Sequence, residues 1–196
     1  MENFNFKPTK EDILNAFKRI EGYIDITIED FQKLYELVSQ IWWERLIKEI
    51  KAKDIMNPQV IFASPEETLE EIVRKLVKAK ISGLPIVENE KVIGLLSEKD
   101  IFKKLEIDMN FKALSIFLNL EKTIQNWERL KNSKAKEIMT TPAITIEENS
   151  SVEEVFKIIK MHKINRIPVV NYQGKLVGII TREDLLKHPF FRVELS

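Results

Sequence analysis

The chain has 196 residues, 44% of them hydrophobic and 32% charged, which predicts a globular protein of one or two compact domains. Basic and acidic residues number 31 each, and this zero net charge argues against a global attraction to nucleic acid or to an anionic membrane. The absence of cysteine excludes a disulfide framework, a thiolate nucleophile and cysteine metal sites. The sequence shows neither a signal-peptide pattern nor an apolar stretch of membrane-spanning length, so we expect a cytoplasmic protein.

The N-terminal part, residues 1–52, is predicted to be helical. Thr9 and Thr27 each precede an Asp by three positions, which is the capping-box spacing at the start of a helix. Apolar residues then recur at helical spacing. The adjacent Trp42 and Trp43 point in different directions on a helix, so one can face the core and the other a partner surface.

The rest of the chain contains two copies of one sequence unit, because residues 53–101 recur as residues 136–185. The matched pairs include Lys53 and Lys136, Met56 and Met139, Pro85 and Pro168, Gly94 and Gly178, and Asp100 and Asp184. Two copies of one supersecondary unit can pack about a pseudo-two-fold axis, since each covers apolar surface that the other cannot bury alone. Such a pair presents two related clefts.

Each copy begins with a short amphipathic segment, 54–56 in the first copy and 137–139 in the second, which we call its lead. After the lead, each copy predicts the order β-α-β-β-α, in which two strands form a hairpin with a capped helix before and after it. The fold class is therefore mixed, α/β (α+β). The extended segments are expected at 59–63 and 143–146, the hairpins at 84–96 and 167–180, and the helix starts after Thr68, Ser97, Ser151 and Thr181.

The copies are delimited as residues 53–106 and 136–190, and the segment 107–135 between them is too long for a simple linker. Its apolar residues lie at helical spacing, and a surface loop would not contain so many of them. We expect one or two extra helices that pack on the N-terminal helices or on another subunit.

The two copies resemble a CBS-domain pair, a small-molecule-sensing module. The resemblance is carried by the matched leads, by the strand pairs and above all by the closing signatures GLLSEKD (94–100) and GIITRED (178–184). It covers residues 53–106 and 136–188, and the other helices lie outside the common family pattern. The resemblance implies adenine-nucleotide binding in the clefts and homodimers formed through helices.

Ser97 with Asp100, and Thr181 with Asp184, have two interpretations. Their spacing alone is explained by a capping box, which needs no ligand. The resemblance implies that each Asp receives the ribose hydroxyls of an adenine nucleotide, with the Ser or Thr at the same cleft. A carboxylate can accept two hydrogen bonds from a cis-diol, and we expect binding first of all at Thr181 and Asp184.

The two copies differ where a phosphate would bind. The second copy has Asn165 and Arg166 before its first hairpin strand, whereas Gly83 stands where Arg166 would be in the first. Arg166 can donate a fork of hydrogen bonds to phosphate, and Arg182 adds a second guanidinium. The alternative is that both are solvated charges. By resemblance Arg166 is the phosphate anchor, and the two sites are expected to be unequal.

The remaining site residues are apolar or small. The resemblance implies that the extended segments face the adenine, with the backbone reading the base edge while apolar side chains flank the ring. The alternative is a buried β-branched core, and both can hold at neighbouring positions. This set comprises Val60, Ile61, Leu84 and Pro85 in the first copy and Ile144, Thr145, Ile146, Ile167 and Pro168 in the second.

The sequence thus predicts a non-catalytic sensor of AMP, ADP or ATP, with S-adenosylmethionine or a dinucleotide ranked below them. Occupancy would change the angle between the copies or between subunits and be passed to a protein partner. One alternative is a structural dimerisation module without ligand. Another is a nucleic-acid-binding regulator, although residues 1–52 hold eight basic and ten acidic residues. His162 and His188 lack metal-type spacing, and no nucleophile–base pair is visible, so we expect neither a metal site nor an enzyme.

Overall fold

The computed structural model describes residues 10–19, 21, 27–108 and 112–187. The sequence predictions for Thr9 and His188 lie outside these residues. None of the helices it describes is long and apolar enough to cross a membrane.

The elements follow the predicted order, except that the first extended segment of the first copy forms no strand. The N-terminal part holds α1 (Lys10–Lys18) and α2 (Ile28–Glu49). The first copy comprises α3 (Ala52–Ile55), α4 (Leu69–Ala79), β1 (Gly83–Glu88), β2 (Lys91–Ser97) and α5 (Glu98–Lys104). Between the copies lie α6 (Lys112–Leu118) and α7 (Leu120–Leu130). The second copy comprises α8 (Ala135–Ile138), β3 (Ile146–Glu147), α9 (Val152–His162), β4 (Arg166–Val170), β5 (Leu176–Thr181) and α10 (Arg182–Lys187).

The two hairpins have the same register. In β1–β2, Leu84 lies opposite Leu96, and in β4–β5, Ile167 lies opposite Ile180. Both pairings are antiparallel and both shift register once, at equivalent places. The predicted extended segments form less sheet than expected. Residues 143–146 contribute only the start of β3, which runs parallel to β4, and residues 59–63 contribute a single parallel bridge from Ala63. The peptide groups before these points stay outside the sheets.

The short lead helices α3 and α8 exchange places across the pseudo-two-fold axis. The backbone of Asn57, just after α3, pairs in both directions with Ile179 of β5, at 2.9 and 3.0 Å. The backbone of Thr140, just after α8, pairs in the same way with Leu95 of β2, at 2.9 and 3.0 Å. Each copy therefore fastens its lead to the hairpin of the other copy.

The matched methionines and glycines explain this exchange. The side chain of Met139 occupies the space beside Gly94, and that of Met56 occupies the space beside Gly178, so a Cβ on either glycine would overlap a methionine sulfur. The repeated Met and Gly of the sequence are thus packing partners between the copies.

Two hydrophobic cores follow from the same exchange. Ala135 and Ile138 of α8 complete the core of the first copy, and Ala52 and Ile55 of α3 complete the core of the second. Neither core is closed by its own copy alone, as the sequence predicted from the repeated apolar face.

The helices before each copy follow this arrangement as well. Trp42 and Trp43 of α2 both pack, partly buried, against the core of the second copy. Trp127 and Leu130 of α7 pack against the core of the first copy. α7 therefore packs on the first copy where packing on the N-terminal helices or on another subunit was expected, and the contact with another subunit stays a prediction. The reason is the short connection to α8, whose Ser133 carbonyl accepts a 2.9 Å hydrogen bond from the first helix position of α4.

Candidate functional site

A cleft of about 620 Å³ lies between the copies, beside the start of α10. We call it the Asp184 cleft. Seven residues expected at a nucleotide site line it: Val60, Ile61, Asn165, Arg166, Thr181, Arg182 and Asp184. The first two come from the first copy and the others from the second, so the cleft exists only because the leads exchange places.

The carboxylate of Asp184 has one oxygen engaged and one oxygen free. Its Oδ2 accepts hydrogen bonds from the Thr181 backbone N–H at 2.8 Å and from the Thr181 hydroxyl at 2.6 Å. The Asp184 N–H donates to Thr181 Oγ1 at 3.1 Å, which completes a capping box. Among the described residues, Oδ1 has no hydrogen-bond partner. The cap uses one oxygen and leaves the other available, so the capping interpretation does not exclude the binding interpretation.

The extended segment from the first copy brings unused peptide groups to this cleft. The backbone N–H and C=O groups of Val60 and Ile61 have no hydrogen-bond partners among the described residues. The segment joins β1 only at Ala63, whose N–H donates to the Pro85 carbonyl at 3.1 Å and whose carbonyl accepts from Val87 at 2.8 Å. Backbone groups left in this way can pair with a ligand, such as the edge of a base.

Arg166 reaches across the pseudo-two-fold axis. Its Nη2 donates to the hydroxyl of Ser82, and its guanidinium fills the space where Gly83, its matched residue, has no side chain. Burial lowers the pKa of Arg166, while the carboxylates of Glu98 and Asp100 oppose that shift. A half-buried guanidinium with a single hydroxyl partner can accommodate a phosphate.

Lys80 is a cleft residue that the sequence interpretation missed. It lines the Asp184 cleft together with Arg166 and Arg182, so three cations surround the space. Lys80 ends α4 in a left-handed conformation, with φ of 55°, and the matched Lys163 ends α9 in the same way, with φ of 51°. No local signal marks Lys80, because it belongs to the other copy and reaches Asp184 only through the tertiary fold.

The matched position in the first copy is different. Asp100 Oδ2 accepts from the backbone N–H of Ser97 at 2.9 Å and from its hydroxyl at 2.5 Å. Its Oδ1 accepts from the Thr140 hydroxyl at 2.9 Å. Asn57 is the residue that matches Thr140, and its side chain bonds a nearby backbone N–H of its own segment instead of Asp184. We call the surroundings of Asp100 the Asp100 cleft.

The other residues of the expected set lie outside the lining of the Asp184 cleft. Leu84 and Ile167 are fully buried in the two cores, and Ile146 is nearly so, because they point inward from their strands. Their side chains therefore belong to the core alternative. Pro85 and Pro168 are also buried, while Ile144 and Thr145 are half-buried in the extended segment of the second copy.

The part of the chain that the structure describes contains no group of three or more His, Cys, Asp or Glu side chains placed to hold a metal ion. His162 is exposed at the end of α9.

The family model for the CBS domain matches the chain twice, at residues 52–107 and 135–190. The chain therefore belongs to the CBS-domain family, and the arrangement of its two copies is that of a CBS-domain pair.

Solved structures agree with this. The CBS domain of a CBS-domain-containing membrane protein from Sphaerobacter thermophilus is 26% identical, with a TM-score of 0.62, and covers 79% of this chain and 96% of that one. The CBS domain pair of protein MJ0100, in complex with 5′-methylthioadenosine and S-adenosyl-L-methionine, is 28% identical with a TM-score of 0.54. The match covers 69% of this chain and 92% of that one.

Curated relatives place the same module in larger proteins. Inosine-5'-monophosphate dehydrogenase of Methanocaldococcus jannaschii is 29% identical over 138 residues, which are 70% of this chain and 23% of that enzyme. An uncharacterized protein of Methanopyrus kandleri is 31% identical over 142 residues, 72% of this chain and 63% of the relative. Because this chain matches about a quarter of the dehydrogenase, the likeness carries no dehydrogenase activity to it.

Proposed function

We propose that this protein is a non-catalytic sensor that binds an adenine nucleotide in the Asp184 cleft and passes its occupancy to a partner or to a second subunit. The observation that carries the proposal is the free Oδ1 of Asp184 in a cleft that also holds unused peptide groups and three cations.

Each part of a nucleotide has a complementary group in the cleft. The free carboxylate oxygen of Asp184 can accept from the ribose hydroxyls, and the peptide groups of Val60 and Ile61 can pair with the adenine edge. Arg166, Arg182 and Lys80 can bind phosphate, the two arginines through bidentate hydrogen bonds.

The choice of AMP, ADP or ATP over S-adenosylmethionine rests on charge. Three cations line the Asp184 cleft against the carboxylates of Glu183 and Asp184. Phosphate neutralises these cations, whereas a sulfonium adds a positive charge to them. The bound ligands of the MJ0100 pair, which both carry a 5′-deoxyadenosyl group on sulfur, support the nucleoside part of this proposal.

Transmission of the signal follows from the shared cores. A ligand that spans Val60 of the first copy and Asp184 of the second binds one angle between the copies better than another, and so shifts their equilibrium. We propose a homodimer as the assembly. A second subunit or a protein partner could bind to the large apolar side chains that are exposed on α6 and α7. These are Leu114, Phe117, Leu118, Leu120 and Ile124.

The test is thermal unfolding of the purified protein with AMP, ADP, ATP and S-adenosylmethionine. A ligand at about 100 times its Kd adds roughly 2.7 kcal/mol to stability. We expect this stabilisation with an adenine nucleotide and its loss in Asp184→Ala. Glu154→Ala is the matched control, because it removes the same cap position from α9, outside the cleft.

Two results would contradict the proposal. Stabilisation that survives Asp184→Ala but is lost in Asp100→Ala would move the site to the other cleft. No stabilisation by any of the four ligands would favour a structural module that associates with protein alone.

A further inference from the structure

We propose that the chain closes its own Asp100 cleft by placing the hydroxyl of Thr140 where a ligand hydroxyl would bind, so that each chain binds one nucleotide. This inference rests on the proposed function of the Asp184 cleft and concerns its matched counterpart.

The two matched carboxylates differ in the use of their second oxygen. Asp184 and Asp100 use one oxygen in the same way, for the cap of their own helix. The second oxygen is free among the described residues at Asp184, but at Asp100 it accepts the Thr140 hydroxyl at 2.9 Å. A ribose hydroxyl at Asp100 would therefore compete with the Thr140 hydroxyl for Oδ1, whereas at Asp184 it would meet no such competitor among the described residues.

The backbone fixes the position of Thr140. Its backbone pairs with Leu95 in both directions, at 2.9 and 3.0 Å, so the residue is held beside β2 irrespective of its side chain. Asn57 is held in the same way against Ile179, but its side chain accepts a hydrogen bond from the Gln59 N–H at 2.9 Å. The same backbone frame thus places a donor on one carboxylate and none on the other.

The two copies are not symmetric at the pseudo-two-fold axis. Arg166 extends from the second copy to Ser82, with Glu98 and Asp100 as its anionic neighbours. Gly83 has no side chain that could extend in the opposite direction. Arg166 therefore lines the Asp184 cleft together with Ser82 and Gly83, and its charge also balances the carboxylates of Glu98 and Asp100.

The two clefts also differ in the charge at the start of their closing helices. Glu98 is the first residue of α5 and Arg182 is the first residue of α10, at matched positions. A phosphate near Asp184 therefore meets a guanidinium, whereas a phosphate near Asp100 meets a second carboxylate. This difference weakens phosphate binding near Asp100, but it leaves the contact between Asp100 and the ribose to be decided by Thr140.

The experiment is isothermal titration of the full chain with AMP and, separately, with ATP. We expect one site in the unaltered protein and none in Asp184→Ala. The double variant Asp184→Ala, Thr140→Ala should regain one site, with affinity at least about tenfold above that of Asp184→Ala, the effect of one hydrogen bond to a charged group. Adding Asp100→Ala should abolish the regained site.

Thr141→Ala is the matched control. It removes a neighbouring hydroxyl that donates to the Ile93 carbonyl at 2.9 Å and does not contact Asp100. In the Asp184→Ala background it should regain no binding. Thr140→Ala keeps the backbone pairing with Leu95, and an unchanged far-ultraviolet circular dichroism spectrum would verify that it is folded.

The possible outcomes separate the two proposals. Two sites in the unaltered protein, one of them lost in Asp100→Ala, would overturn the closed cleft and leave the proposed function standing. No regained site in the double variant would show that Thr140 is not the closing group, and the inference would fail. No binding of AMP or ATP by the unaltered protein would refute both proposals.

Discussion

In the first copy, Gly94 receives the side chain of Met139, and in the second copy, Gly178 receives that of Met56. The backbone pairs that fasten each lead to the opposite hairpin are also the same. At the two clefts, however, the matched residues are different in kind. A threonine hydroxyl contacts Asp100 where an asparagine turns away from Asp184, and an arginine lies against a glycine.

This comparison separates packing from binding. A change at a methionine–glycine contact opens or overfills a core that both copies share, so the two copies must agree there. The residues at the clefts are partly exposed, and a change there costs little packing. The two copies are therefore free to differ at the clefts, which is where the proposed function depends on side-chain chemistry.

The largest effect should come from the matched core residues Leu96 and Ile180, both fully buried. We expect Leu96→Ala and Ile180→Ala each to lower the free energy of unfolding by about 2–5 kcal/mol. Because each core contains the lead helix of the other copy, both variants should shift one common transition. Urea unfolding, monitored by tryptophan fluorescence and circular dichroism, would measure this shift. Two separate unfolding transitions would contradict the expectation that the two copies share their cores.

The next effect concerns Arg166, which has no equivalent in the first copy. Arg166→Gln should weaken AMP binding by about 1.5–3 kcal/mol, the range for a hydrogen bond to a charged group, and should leave adenosine binding nearly unchanged. Titration calorimetry with both ligands would measure the difference. An equal loss for AMP and adenosine would mean that Arg166 shapes the cleft without contacting phosphate.

A smaller effect should distinguish the two glycines. A Cβ at Gly178 would meet the Cβ of Met56 at 3.0 Å as well as its flexible end, whereas at Gly94 only the outer atoms of Met139 are close. Gly178→Ala should therefore cost about 1–3 kcal/mol and Gly94→Ala less, since only Met139 can rotate away. Gly174→Asn is the control, because that turn has open space and asparagine is among the residues that best tolerate its φ of +77°. Equal costs in thermal unfolding would contradict this difference.

The smallest effect is a pH dependence in the first copy. Hydrogen bonds from the backbone and hydroxyl of Thr68 lower the pKa of Glu71 in the folded protein. The folded state then binds fewer protons, so the contribution of Glu71 is fully present above its unfolded pKa of about 4.3 and is lost as the pH falls through the lower folded pKa. Glu71→Gln should reduce the dependence of the free energy of unfolding on pH in this range. Urea unfolding between about pH 3 and 6, roughly one to two units on either side of the unfolded pKa, would measure it. A profile that keeps its slope in Glu71→Gln would assign it to other carboxylates.

Local signals in the sequence predicted much of the fold. The capping boxes at Thr27, Thr68 and Ser151 are present, since a hydroxyl and a carboxylate three residues apart need only their own helix. The two hairpins lie within one or two residues of the expected strands, because alternation and turn residues act over short distances. The extended segments were overestimated as strands, because peptide groups that line a cleft leave the sheet.

The sequence by itself determined that the chain has two equivalent units, which Asp lies in the first turn of each closing helix and which copy carries the arginines. Only the tertiary structure decided which segments meet. Val60 and Lys80 lie far from Asp184 along the chain, and Thr140 far from Asp100, and they come together because the leads exchange between copies. The physical reason is that repeated patterns report local backbone preferences, whereas a contact across the pseudo-two-fold axis depends on how two completed units pack.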